Sequence, residues 1–203
     1  MSDTPVHSPR VALKTPLSHI HHMAFRCRDA EQTRWFWEDV MGFPLSFCLA
    51  FDTEPGTGRP MKYMHLFFEM GAGNFIAFFD VPEHADEALF APKWNLDLHI
   101  AFEVDTLDEL KAWQKRLFKH GRPALGPVDH EFIESIYMYD PNGIGVEITV
   151  KSDRHDNIIA HEKAQAREAL AAWTAETRAL KEKNHGEKLD ERGIYFFPPK
   201  TPA

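Results

Sequence analysis

His22-Met23-Ala24-Phe25-Arg26-Cys27 and His99-Ile100-Ala101-Phe102-Glu103-Val104 decide the fold, because they are one segment written twice. His, Ala and Phe coincide, and Met/Ile and Cys/Val agree in kind. Such self-similarity signals a duplicated supersecondary unit, and the flanking sequence repeats in step. Asp29 and Asp105 each lead into a stretch with helical apolar spacing. The first carries Trp35, Phe36, Val40 and Met41 and stops at Gly42; the second carries Leu110, Trp113, Leu117 and Phe118 and stops at Gly121. A glycine just past the last apolar position is a common helix terminus.

Strand-like segments follow both helices. In the first copy they cover residues 45–51, 61–70 and 75–79; in the second, 132–139 and 144–150, with a weaker one near 123–126. Asp140-Pro141-Asn142-Gly143 is a strong hairpin turn, since Asp, Asn and Gly accept the required backbone angles. The pattern is β-α-β-β-β, twice. We therefore expect an α+β fold of two tandem βαβββ modules forming a cupped mixed sheet, with a C-terminal helix. The expected division is a flexible N-terminal tail (1–16), a first module (17–80), a linker (81–94), a second module (95–150) and a C-terminal extension (151–203). The first copy is the longer, and its excess falls in a loop at 52–60 that could rim a site. Residues 158–183 place Ile159, Ala166, Leu170, Trp173 and Leu180 at helical spacing. That helix, and the apolar Ile194-Tyr195-Phe196-Phe197-Pro198-Pro199 tail, are expected to dock on the body or on a second subunit.

The charge of −8 argues against nucleic acid and anionic membranes, which need a basic partner surface. No apolar run is long enough to span a bilayer. No apolar leader opens the chain, so a cytoplasmic location is expected. Cys27 and Cys48 sit in apolar runs and read as buried, reduced thiols.

His22 and His99 hold the same place in the two copies, so a pseudo-twofold relation would bring them together. Alternation then puts Ala24 and Arg26 on the face of His22, with His21 and Met23 on the helix side. The stretches His21 to Asp29, Trp35 to Phe43 and Asp140 to Glu147 resemble the glyoxalase, bleomycin-resistance and extradiol-dioxygenase group, the vicinal-oxygen-chelate superfamily. The resemblance covers about residues 17–150 and implies that Glu147 is a metal ligand. With His22 and His99 it would make a two-His, one-carboxylate set with open positions, suited to non-haem Fe(II). One divalent metal per chain is expected, Fe(II) first, with Mn(II), Ni(II) or Zn(II) as alternatives. The mirror of Glu147 in the first copy is Ala77, so the fourth ligand of glyoxalase-I-like members is absent. The resemblance further implies that Tyr137 bonds the bound substrate and that His130 stands over it; their plain readings are a strand aromatic and a loop histidine. Where extradiol members carry an acid-base histidine this chain has Asn74, with His65 on the preceding strand. Arg26 and Glu103 form a buried ion pair or hold a substrate carboxylate.

The expected function is an Fe(II)-dependent extradiol-type dioxygenase of aromatic catabolism, acting with O2 on a small catecholic or phenolic compound, in a homodimer. Two rivals use the same residues: a non-redox metal lyase, isomerase or hydrolase, and a metal-free protein that sequesters small molecules.

Overall fold

The computed structural model describes residues 17–190 apart from 18 and 72; the N-terminal tail and the 194–199 segment lie outside them. Two four-stranded sheets form. The first has the order β1-β4-β3-β2, from β1 (His22–Cys27), β2 (Leu45–Thr53), β3 (Pro60–Gly71) and β4 (Asn74–Asp80). The second has the equivalent order β5-β8-β7-β6, from β5 (His99–Val104), β6 (Leu125–Asp129), β7 (Ile133–Tyr139) and β8 (Gly145–Lys151). In each, the first strand pairs in parallel with the last, and the hairpins are antiparallel. The duplicated sequence makes a duplicated fold.

Helix α1 (Ala30–Arg34) starts where the Asp29 carboxylate accepts from the Gln32 amide, then widens into a π-helical turn over Trp35–Val40. That turn sinks Phe36, Trp37 and Val40 completely. Helix α2 (Leu107–Lys119) starts with a reciprocal box: the Thr106 hydroxyl takes the Glu109 amide, and the Glu109 carboxylate takes the Thr106 amide.

Alternation gives each sheet one covered face and one open face. Met23, Phe25, Cys27, Leu66, Phe68, Ile76 and Phe78 of the first sheet share a core with Ile100, Ile136, Val146, Ile148 and Val150 of the second. Cys27 is buried there, and desolvation pushes its thiol up to about 12. The Asp140–Gly143 turn pins the two modules. Asp140 accepts from Trp37 Nε1 at 3.2 Å and from the Asn142 and Ile144 amides at 2.8 and 2.9 Å; Asn142 donates to Thr33 Oγ1 and accepts from the Arg28 amide. Gly143, at φ +77°, has no room for a side chain, because a Cβ would stand 2.5 Å from the Ala91 carbonyl.

Some expectations fail. The weak strand near 123–126 runs instead over Leu125–Asp129, because an edge strand tolerates Pro127 at a register shift. Cys48 is exposed, since it lies on the edge strand β2. His21 precedes the strand and stands beside His22 rather than on the helix side, with their Nδ1 atoms 2.9 Å apart. Helix α3 (His155–His185) buries no residue, and beyond Asn157 it belongs to a separate compact unit from residues 13–156. Among the described residues no helix is long and apolar enough to cross a membrane.

Candidate metal centre

The second module gathers four of the predicted residues on the open face of its sheet. His99 and Glu147 lie on adjacent strands, with His99 beside Gly145 and Glu147 two positions further along β8. His99 Nε2 stands 3.3 Å from Glu147 Oε2. The other carboxylate oxygen accepts from the Tyr137 hydroxyl at 3.0 Å, and His130 Nε2 lies 2.7 Å from that hydroxyl oxygen. Tyr137 has one proton to give, so His130 must be the donor at its end. Burial, then the Glu147 contact, raises the Tyr137 pKa and keeps its proton in place. Glu147 itself is 4% exposed.

Proton accounting exposes a requirement here. His99 Nδ1 sits 2.6 Å from the Asn95 carbonyl oxygen, which can only accept, so Nδ1 carries a proton. Nε2 is then left facing a carboxylate oxygen, an arrangement that needs a positive charge between them. Either a proton or a metal ion supplies it. Two donors bound cis to one divalent ion through bonds of about 2.1 Å stand about 3 Å apart, close to the spacing found. A carbonyl acceptor on the far nitrogen is also the usual support of a metal-binding histidine. Asn95 carries no sequence signal for this role, because its backbone oxygen does the work.

His22 is not in this group. Its ring lies 5.6 Å from Phe67 and 6.2 Å from His65, on the open face of the first sheet. Among the described residues no three His, Cys, Asp or Glu side chains cluster to hold an ion. The sequence leaves open whether the modules pair within one chain or across two; in this chain they meet through a shared core and the Asp140 turn, with both open faces turned away from that core. For the same reason Arg26 and Glu103 do not pair. Arg26 donates to the Val81 and His84 carbonyls, and Glu103 binds Lys151 at 2.7 Å.

His65 is stacked on Phe79 at 3.8 Å and tilted against Phe67 at 4.1 Å, with Nε2 buried and unpartnered. Burial, then repulsion from His22, lowers its pKa, so the ring is neutral at pH 7. Asn74 opens β4 opposite Gly71, and alternation with Phe75 assigns it to the face away from His22. Ala77, the mirror of Glu147, is fully buried and cannot bind a metal.

The model of the Glyoxalase/Bleomycin resistance protein/Dioxygenase superfamily matches residues 19–148. Among solved structures, a glyoxylase/bleomycin resistance protein/dioxygenase domain from Frankia sp. EAN1pec aligns with TM-score 0.54 at 17% identity, over 70% of this chain and 99% of that one. A glyoxalase/dioxygenase from Nostoc punctiforme aligns with TM-score 0.50 at 21% identity, over 72% and 100%. A glyoxalase/bleomycin resistance protein/dioxygenase from Nocardioides gives 0.50 at 22%, over 70% and 88%. At these identities the likeness is one of fold. No curated protein matches the chain.

Proposed function

This chain belongs to the Glyoxalase/Bleomycin resistance protein/Dioxygenase superfamily, and on that premise we propose that it is a divalent-metal enzyme, an Fe(II)-dependent dioxygenase of small catecholic or phenolic compounds. One observation supports the reading: His99 Nε2 faces Glu147 Oε2 across 3.3 Å while its Nδ1 donates to the Asn95 carbonyl, the way a supported metal-binding histidine is held beside a carboxylate ligand. His99 and Glu147 supply two ligands from one copy, and His22 of a second copy supplies the third. The homodimer is thus part of the site, with the open face of the first sheet of each copy laid over the open face of the second sheet of the other. An isologous pair of this kind makes two equivalent sites.

Fe(II) held by His99, Glu147 and His22 of the second copy would supply the redox chemistry by which O2 opens a catecholic ring. Both atoms of O2 end in the ring-opened product, so no external reductant is needed. The chain's own groups bind and handle protons. Tyr137 presents a hydroxyl fixed between His130 and Glu147, and His130 can restore a proton to the tyrosine oxygen. Phe47, Phe67 and Phe75 give an apolar wall for a ring and keep water out. His65 brings a neutral imidazole with a free acceptor or donor to that wall. The absence of a fourth protein ligand at Ala77 favours a substrate that binds through two oxygens. Protein purified without added metal is expected to contain about one iron per chain and to consume O2 with catechol. A redox-inert ion in its place, or no uptake across a catechol panel with iron loaded, would overturn the dioxygenase reading.

A further inference from the structure

A cavity of about 430 Å³ between the loop that ends α2 and strand β7 is lined by Asn95, Arg122, Tyr137 and Tyr139, and is large enough for one substituted aromatic ring. Two of its lining residues already hold the candidate ligands: Asn95 takes the His99 Nδ1 proton, and Tyr137 donates to Glu147. Its only charged lining residue is Arg122. With Tyr139, Arg122 also lines an adjoining cavity of about 240 Å³.

Other arginines have polar partners, Arg26 and Arg116 through backbone carbonyls. Arg28 pairs with Glu87, Arg34 with Glu31, Glu38 and Asp39, and Arg59 with Glu54. Among the described residues no carboxylate pairs with Arg122, in a chain whose net charge is −8. Its guanidinium is instead laid over Trp35 at 5.4 Å and Phe36 at 6.0 Å. Those rings fix a half-buried cation at the cavity wall without satisfying its hydrogen-bonding donors.

We infer that this cavity is an anion subsite, in which Arg122 receives the carboxylate of a hydroxylated aromatic acid. A planar guanidinium clamped between ring faces and a cavity suits a carboxylate through paired hydrogen bonds. The substrate class narrows from catechols in general to ring-dihydroxylated carboxylic acids. This rests on the proposed function, because the hydroxyls of the same molecule would face His99 and Glu147.

The test is calorimetric, on the full chain, with catechol, 3,4-dihydroxybenzoate and benzoate as probes. Iron-loaded protein is expected to bind 3,4-dihydroxybenzoate at least about tenfold more tightly than catechol. Arg122→Met should erase that preference and leave catechol affinity unchanged; Arg122→Lys should keep part of it. Chelator-treated protein should still bind benzoate in an Arg122-dependent way. That arm stays readable if no metal chemistry exists, so failure of the subsite and failure of the dioxygenase reading can be told apart. Equal affinity of the wild-type protein for catechol and dihydroxybenzoate, or a preference that survives Arg122→Met, overturns the proposal. Should Arg122→Met not fold, the wild-type comparison and Arg122→Lys decide.

Discussion

On the open face of the first sheet Phe47 stacks on Phe67, Phe51 on Tyr63 and His65 on Phe79, with His22 at the β1 end. On the same face of the second sheet stand Glu147, Tyr137, Thr149 and Lys151, linked to His99, His130, Ser135 and Glu103. One strand plan, written twice, carries an aromatic wall with imidazoles in one copy and a hydrogen-bonded carboxylate in the other. Within the sheets the difference lies mainly in the outward positions. The inward positions, such as Met23, Phe25, Ile100 and Phe102, serve one common core and stay alike. The two copies keep the positions that build the core alike and differ on the open faces. Leu49, 46% exposed, and Phe47 and Phe51, each 40% exposed, leave apolar surface on β2, which the proposed dimer would cover.

The strongest way to break this division of labour is to disable each sheet separately. Glu147→Ala and His22→Ala should each weaken metal binding by more than about 100-fold, since even residues that merely support a ligand are worth 10- to 100-fold. Elemental analysis after dialysis measures it. The two inactive variants, unfolded and refolded together in equal amounts, should then regain about a quarter of wild-type activity, because half of a random dimer population has one of its two sites intact. No recovery on mixing would mean that the aromatic face and the carboxylate face never form one site.

The joint between the modules comes next. Asp140 is 3% exposed, and burial raises its pKa even though it accepts from Trp37, Asn142 and Ile144. Asp140→Ala strands those donors in the core and should lower stability by about 3 kcal/mol in urea unfolding. A loss below about 0.5 kcal/mol would mean that the shared core alone fixes how the modules meet.

Much of this was legible in the sequence because the relevant signals are local. The repeat gave the succession of elements in each module, alternation gave the open faces, and the Asp140 turn announced its hairpin. The π-helical widening at Trp35–Val40 was not legible, since the apolar spacing reads equally well as an ordinary helix. Nor was the separation of His22 from Glu147. Which faces of two amphipathic modules meet depends on long-range pairs such as Thr33 with Asn142 and Arg116 with the Val40 carbonyl. No spacing rule marks such pairs. Helix α3 was legible as a helix, for the spacing at 158–183 falls within its observed span.

Within the polar face, Tyr137→Phe sharpens the role of the hydroxyl. It removes one bond to Glu147 and the partner of His130 while keeping the ring, so the fold should hold. Turnover should fall roughly 10- to 100-fold with iron content unchanged. An unchanged rate would reduce Tyr137 to a packing residue.

The smallest effect separates covered from open positions by chemistry alone. Cys27 lies in the shared core, where its desolvated thiol resists ionisation up to about 12, while Cys48 lies exposed on edge strand β2. The thiolate is the reactive form, so at pH 8 iodoacetamide should label Cys48 and spare Cys27. A folded pKa raised above the unfolded one favours the protonated native state. The stability this contributes is therefore complete below pH 9 and is lost as pH climbs toward 12. Mass spectrometry of the native protein should show one adduct per chain at pH 8, with Cys27 labelled only on unfolding. Equal labelling of both thiols at pH 8 would mean that the first sheet lacks the tight cover its alternation requires.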